Sequence, residues 1–511
     1  MSNLPIVDLA VIVIYLLAMI VAGIYFSKKN TTADEFTTAA GKIPAWAVGI
    51  SLYATFLSSN TFLGVPGKAF GANWNAFVFS LSMPIAAWFA AKYFVPFYRS
   101  NTEVSAYTNL EKRFGSWARS YAVICFLLTQ IARMGSIFFG ISLALQALIG
   151  LDMALIMIVV GICIIIYTVL GGMEAVIWTE VVQGILLTIG AIIIIGSLLF
   201  KIPGGVGTVV DIGMRDDKFS LGSFALTDFS TTTFWVIFLY GVFINLTNFG
   251  MDQNYVQRYH TAPNQVEASK SVWMCVKLYI PISLLFFIIG ACLYAYYDVN
   301  PQLISTVKEQ VAQEKLMDSN ILAPADYGDK VLPHYMVTHL PVGVVGLIVS
   351  AILAAAMSTI SSGMNASATV FTEDIYKRYI KPDANDKQNL RILLWMTGIF
   401  GAIGMFAGVA MIGVGSILDA WWTLSGIFAG GMLGLFLLGL ISKKTNNSDA
   451  LIGTIVGICV ILWMTFSYLI PPEYAYLQNP LHANMIIVVG TLVIFLVGTI
   501  SQKIRHKTLQ H

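Results

Sequence analysis

The run ATFLSSNTFLG, Ala54 to Gly64, sets two serines, an asparagine and two threonines inside an apolar stretch, Pro44 to Gly67, that is long enough to cross a bilayer. A second run of the same kind, AAAMSTISSGMN, extends from Ala354 to Asn365. In hydrocarbon, an unsatisfied hydroxyl or a freed backbone carbonyl costs several kcal/mol, so such groups line a cavity or hold something. Rich in oxygen and poor in charge, the two runs suit a hard monovalent cation or a hydroxylated solute. In the second run Ala355, Ser358, Thr359 and Ser362 recur at i, i+3, i+4 and i+7 and so share one helical face. Unwound carbonyls at Ala54 and Leu57, with the hydroxyls of Ser358 and Thr359, would give about five oxygen ligands, a set appropriate for Na⁺. The plainer reading of that stripe is a small-residue face for close helix packing. Glu180, seven residues into its own predicted span, offers the carboxylate that a second cation would need, or a hydrogen-bond partner for Thr179 or Gln183.

Arg133 is the single formal charge between Ser120 and Gly150, in the middle of a long apolar segment. Arginine there costs at least a few kcal/mol and does not shed its proton. Two roles fit: a strut that pairs with an internal acid or with carbonyls, or a fork that takes a substrate carboxylate on two hydrogen bonds. Ser58, Ser59, Asn60 and Thr61 form a dense set of donors and acceptors that a polyol would satisfy and an apolar solute would leave unpaired. Together with Arg133 they point to an acidic sugar or another hydroxylated organic anion. From Tyr240 the chain reads YGVFINLTNFGMDQNYVQRY, a further interrupted span that adds Asn245 to the candidate substrate groups. It follows the first interruption by five spans, and paired discontinuous helices at corresponding positions are the mark of inverted-repeat transporters with a site at the midplane.

The elements that position these residues are transmembrane helices. The 511-residue chain is 57% hydrophobic and 11% charged, with repeated apolar windows that number about thirteen. An all-α integral membrane protein follows, one transmembrane domain over residues 1–511 with no room for a separate soluble unit. Nineteen basic residues fall in alternate loops against seven in the others, which predicts an external N-terminus and a cytoplasmic C-terminus. Arg258 is counted among the nineteen. The longer external loop, about 298–335, reads either as short surface helices over an entrance or as a plain linker. A net charge of +2 gives no basic patch for nucleic acid. The five cysteines lie in apolar spans without a CxxC pair, and the six histidines form no ligand set. No nucleophile, zinc-protease, Walker or dinucleotide motif appears, so an enzyme is not expected.

Three stretches resemble signatures of the sodium/solute symporter family: YTVLGGMEAVIWTEVVQG (Tyr167–Gly184), GMDQNYVQRY (Gly250–Tyr259) and AAAMSTISSGMNASATVFTEDIY (Ala354–Tyr376). The resemblance covers nearly the whole chain. It implies a LeuT-like five-plus-five inverted-repeat core over residues 44–443, an extra N-terminal helix at 6–26, and extra helices with a cytoplasmic tail at 444–511. By position, it implies a sodium site made of the Ala54, Leu57 and Ala355 carbonyls and the Ser358 and Thr359 hydroxyls. A second sodium site, found in some members, would use Ser358, Ser361, Ser362 and Glu180, where the family commonly has aspartate. SLYATFLSSNTFLG together with Arg133 in LLTQIARMG looks most similar to the bacterial sialic acid symporters, which implies that Ser58, Ser59, Thr61 and Arg133 contact the sugar. The expectation is a bacterial inner-membrane importer that couples one or two Na⁺ to sialic acid, with lipid, Na⁺ and substrate as partners and no obligate protein partner. The alternatives are the same machine carrying a neutral sugar, proline, a vitamin or an organic acid, or a transporter-like membrane sensor.

Overall fold

The computed structural model describes residues 4–28, 31–100, 103–315, 318–412 and 417–508. Every regular element among them is helical. In chain order the elements used below are α1 (Ile6–Ser27), α2 (Ala45–Phe56), α3 (Val65–Gly71), α4 (Val78–Phe89), α5 (Thr108–Phe114), α6 (Ser116–Ile149), α7 (Met153–Lys201), α8 (Phe234–Met251), α9 (Gln253–Thr261), α10 (Gln265–Asp298), α11 (Pro324–His339), α12 (Val344–Val370), α13 (Asp386–Ala410), α14 (Ile417–Ile441), α15 (Asn447–Phe466) and α16 (Met485–Thr508). Large apolar side chains such as Ile14, Val21, Ile124, Ile192, Phe406 and Leu496 are exposed on the outside of the bundle. That is the pattern of a chain whose surrounding solvent is lipid, where packing and polar satisfaction hold the helices together.

Among the described residues ten helices are long and apolar enough to span a membrane, or eleven when the bent pair Ala45–Phe56 and Thr61–Gly71 counts as one span. The expected thirteen requires counting α7 twice and admitting the shorter apolar stretch Ser425–Ile441. The sequence places separate spans at about 152–170 and 173–200, whereas the structure has a 49-residue helical run interrupted at Gly172. Gly172 adopts φ 57°, ψ −161°, a conformation closed to residues with a Cβ, so the change of direction falls on the one residue type that permits it. The extra helix α1 lies on α7 so closely that a Cβ on Gly23 would sit 2.8 Å from the Cα of Tyr167.

Helix α12 is the axis of the bundle. From Val345 to Val370 nearly every residue is buried, and it packs on α7, α13, α1 and α6. The polar 298–335 stretch does contain helices, Pro301–Lys315 and the start of α11, and α11 rests against α3. Both expected interruptions are present. α2 ends at Leu57 (φ −94°, ψ 114°), and α8 ends at Asp252 (φ −75°, ψ 119°), each an extended residue between two helical segments.

Candidate functional site

Ser58, Ser59 and Thr61, short polar residues after Leu57, favour the first break, because such side chains offer the backbone alternatives to the helical ladder. The ladder restarts where the Thr61 and Phe62 amides donate to the Ser58 carbonyl at 3.0 Å each. The two halves, Ala45–Phe56 and Thr61–Gly71, meet at 61°. Carbonyls freed at this bend find two different partners, and these define the site.

The first partner is α12. Ser358 Oγ lies 3.3 Å from the Ala54 carbonyl and 3.0 Å from that of Ala355. Thr359 Oγ1 lies 3.5 Å from the Leu57 carbonyl and 3.3 Å from that of Ala355. All five oxygens are buried and belong to one cluster. A hard cation of calcium's size takes oxygens at about 2.3–2.6 Å, which puts neighbouring ligands about 3.3–3.7 Å apart. The observed separations fit that polyhedron with a small expansion, and no carboxylate belongs to the five. Their neutral-oxygen character matches a monovalent ion.

The second partner is Arg133 on α6. Its Nη2 donates to the Thr55 carbonyl at 2.9 Å, and its Nη1 lies 3.7 Å from Asp252 Oδ2 at the other break, too far for a hydrogen bond. Asp252 is itself engaged: its Oδ1 accepts from the backbone amide of Asn254 at 2.8 Å, capping α9. Arg133 therefore bridges the two interrupted helices, combining the strut role with a place in a cavity wall. Next to it, the cavity is lined by Ser58, Thr61, Ser80, Tyr240, Asn248, Tyr255, Tyr279, Ser283 and Ser425, with Phe56, Phe79, Ile137, Ile244 and Phe287 among the apolar walls. A set of hydroxyls, an amide and one guanidinium inside aromatic walls is what a hydroxylated anion requires.

Two of the expected substrate groups fall outside this wall. Ser59 is fully buried and donates to the Ile137 carbonyl at 3.2 Å. Asn245 is fully buried and reaches Ser82 Oγ at 3.4 Å. The reason is helical phase. Tyr240, Ile244 and Asn248 are spaced i, i+4, i+8 on the cavity face of α8, and Asn245 is turned about 100° away. Asn248 takes the place predicted for Asn245, and the phase of Tyr240 was the signal that identifies it. Ser80 on α4 and Ser283 on α10, which hydrogen-bond each other at 2.8 Å, carry no sequence signal beyond being hydroxyls in apolar spans.

Glu180 lies in the interior, paired with an arginine. Both of its oxygens accept from Nη2 of Arg258 at 2.8 Å, and both side chains are 0% exposed. Arg258, expected in a cytoplasmic loop, instead lies on α9 in the interior. Its Nε donates to Ser51 Oγ at 2.8 Å, its Nη2 to Ser362 Oγ at 2.7 Å, and its Nη1 to the Asn254 carbonyl. The Ser51 and Ser362 hydroxyls donate to Glu180, while Ser361 Oγ turns back to the Ser358 carbonyl at 3.1 Å. The four residues expected to form a second sodium site are thus adjacent, but a guanidinium already neutralises their carboxylate.

The end of α8 and the start of α9 are tied down around the α5 region. Tyr98 Oη donates to the Gly250 carbonyl at 2.6 Å and Tyr107 Oη to that of Met251 at 2.9 Å. Gln253 donates to the Val104 carbonyl at 2.8 Å and accepts from the Ala106 amide at 2.9 Å. Asp374 accepts from Ser105 at 2.8 Å and from Arg119 at 2.5 Å.

Comparison with known proteins agrees with this geometry. The chain is 34% identical over 491 residues to the sodium/sialic acid symporter NanT of Aliivibrio fischeri, covering 95% of this chain and 90% of the relative. It is 34% identical over 460 residues to the sodium/sialic acid symporter SiaT of Proteus mirabilis, with 89% of each chain covered. A solved substrate-bound, outward-open Na⁺-coupled sialic acid symporter superposes with a TM-score of 0.86 at 31% identity, over 98% of both chains. The nucleobase–cation symporter Mhp1 shares the fold alone, at 14% identity and a TM-score of 0.57. These neighbours make the fold LeuT-like. The model of the sodium:solute symporter family matches residues 36–457, a stretch that holds the paired breaks, the five-oxygen cluster and Arg133, and the chain belongs to that family of Na⁺-coupled membrane transporters.

Proposed function

We propose that this protein imports sialic acid, coupled to one Na⁺, by alternating access. The observation that carries the proposal is the division of one bent segment between two partners: Ala54 and Leu57 turn their carbonyls to the Ser358–Thr359 cluster, and Thr55 turns its carbonyl to Arg133. Na⁺ held by Ala54, Leu57, Ala355, Ser358 and Thr359 fixes the bend, and the bend fixes the guanidinium for the sugar carboxylate. Ser58, Thr61 and Asn248 then meet hydroxyls of the sugar. The polar, aromatic-walled cavity and the named sialic acid symporters among its relatives support this substrate over an apolar or cationic one.

Glu180 serves as the counter-charge of Arg258 in this reading, so a single Na⁺ accompanies a single carboxylate and the step is electroneutral. A second Na⁺ would move a net positive charge, worth about 2.3 kcal/mol per 100 mV. The core runs over residues 44–443, and the excess of basic residues in alternate loops supports an N-terminus outside and a C-terminus in the cytoplasm of a bacterial inner membrane. The test is uptake of radiolabelled sialic acid into proteoliposomes. Accumulation is expected under an inward Na⁺ gradient, without a substrate-evoked current. Equal accumulation in K⁺ or choline would overturn the coupling.

A further inference from the structure

At the end of the bundle where α5 joins α6, a pocket opens between α5 and the C-terminal end of α14. Its walls are Phe97, Leu110 and Phe436, and its rim bears Lys112, Arg113 and Lys443. The position is the boundary of the hydrocarbon layer. α14 ends at Ile441, two residues before Lys443, and Ile441 itself is exposed. On the preceding helical segment Trp88 and Tyr93 are exposed to lipid, with Lys92 over both rings at 4.7 and 5.3 Å, the arrangement of an interfacial anchor. Arg113 is already fixed, donating to the Ser442 and Lys443 carbonyls at 2.7 Å each, so it holds the rim rigid. Lys112 faces Glu103 at 3.3 Å across solvent, a pair weak enough to exchange partners. Glu111, the other nearby carboxylate, is held by Arg119 and Arg378.

We propose that this pocket binds one anionic phospholipid, its phosphodiester between Lys112 and Lys443 and the start of an acyl chain along Phe97 and Phe436. Neither chemistry alone accounts for the site: a soluble anion leaves the apolar floor unfilled, and a zwitterionic lipid leaves the three cations with a balanced headgroup. Basic pockets between transmembrane helices select anionic headgroups for this reason.

The test is native mass spectrometry of the full chain released from detergent carrying equal amounts of phosphatidylglycerol and phosphatidylcholine. One phosphatidylglycerol is expected to be retained in preference. Lys112→Gln/Lys443→Gln should lower that retention about 30-fold, from about fivefold per charge removed. Lys443→Gln alone, at an exposed position that folding does not need, should lower it about fivefold. Equal retention of both lipids, retention unaffected by either variant, or displacement of the lipid by millimolar inorganic phosphate would each overturn the proposal.

Discussion

The Glu180–Arg258 pair makes the sharpest prediction, because its two possible meanings require opposite results. As a structural ion pair, it consists of two charges fully removed from solvent, with both Glu180 oxygens 2.8 Å from Nη2. Charges centred about 4 Å apart attract by about 4 kcal/mol at an effective dielectric constant of 20. Glu180→Gln deletes that attraction and leaves Arg258 charged and buried, for an expected loss of about 3–5 kcal/mol. Arg258→Met strands the carboxylate and should cost a similar amount. Glu180→Met/Arg258→Met removes both charges and fills similar volume, and should recover most of the loss. Thermal unfolding of the purified protein followed by tryptophan fluorescence reads all four forms. As a sodium ligand, by contrast, Glu180 would give a different pattern: Glu180→Gln would raise the Na⁺ concentration for half-maximal uptake, Arg258→Met would lower it by freeing the carboxylate, and the double variant would be no more stable than the worse single one. That second pattern, or a substrate-evoked inward current in the native protein, would refute the structural assignment.

Three further outcomes are expected. Arg133→Lys keeps the charge but loses the planar fork, so sialic acid uptake should fall at least tenfold while unfolding temperature holds; undiminished uptake removes Arg133 from substrate recognition. On the proposed function, Ser358→Ala deletes one of the five oxygens proposed to hold sodium and should raise the Na⁺ requirement of uptake about tenfold or more, leaving sialic acid affinity at saturating Na⁺ little changed. Asp8 on α1 is fully buried, and its Oδ1 accepts from the Gly343 and Gly346 amides at 2.7 and 2.6 Å, capping α12, the helix that bears Ser358 and Thr359. Asp8→Ala should cost about 1–3 kcal/mol in unfolding, and Asp8→Asn, which keeps an acceptor oxygen, distinctly less.

The parts of this site legible in the sequence are those where lipid sets the rule. Polar residues amid twenty apolar ones stand out at Ser58–Thr61, at Ser358–Thr359 and at Arg133, because hydrocarbon tolerates such groups only with a purpose. The i, i+3, i+4 spacing then identified Ala355, Ser358 and Thr359 as one face, and the cluster has that face. Two kinds of information were missing. The first is rotational phase: Ser59 and Asn245 share composition and depth with Ser58 and Asn248, and one residue's turn sends them into helix contacts. The second is the destination of polar runs near a span's end. QNYVQRY closes an interrupted span whose Arg258 is counted in the loop beyond it, yet Gln253, Asn254, Gln257 and Arg258 are all fully buried. Their partners lie far along the chain: Val104 and Ala106 for Gln253, Asn365 for Gln257, Glu180 for Arg258. Polar groups satisfied by distant helices leave no local periodicity to read.

Those distant partners also explain how one ion can govern a whole cycle. α9 is held against α12 by Gln257 and Arg258, against α7 by Glu180, and against the loop before α5 by Gln253. The end of α2 meets α12 differently: the Ala54 and Leu57 carbonyls meet hydroxyls at 3.3 and 3.5 Å, at or near the limit of a hydrogen bond. The α7–α9–α12 contacts thus include charged pairs, whereas the junction of α2 with α12 has only weak neutral ones until a cation joins the five oxygens. A ligand moves a conformational equilibrium only by its difference in affinity between the two states. Under the proposed function Na⁺ supplies that difference, because the five oxygens come from both the bend and α12 and meet only while the two face each other. Arg133 shares the bend through Thr55, so in the proposed cycle a movement that disperses the five oxygens also withdraws an anchor from the guanidinium proposed to meet the sugar acid. Coupling then needs no long pathway, since the proposed cation and anion sites are joined through adjacent residues, Ala54 and Thr55, at the end of α2.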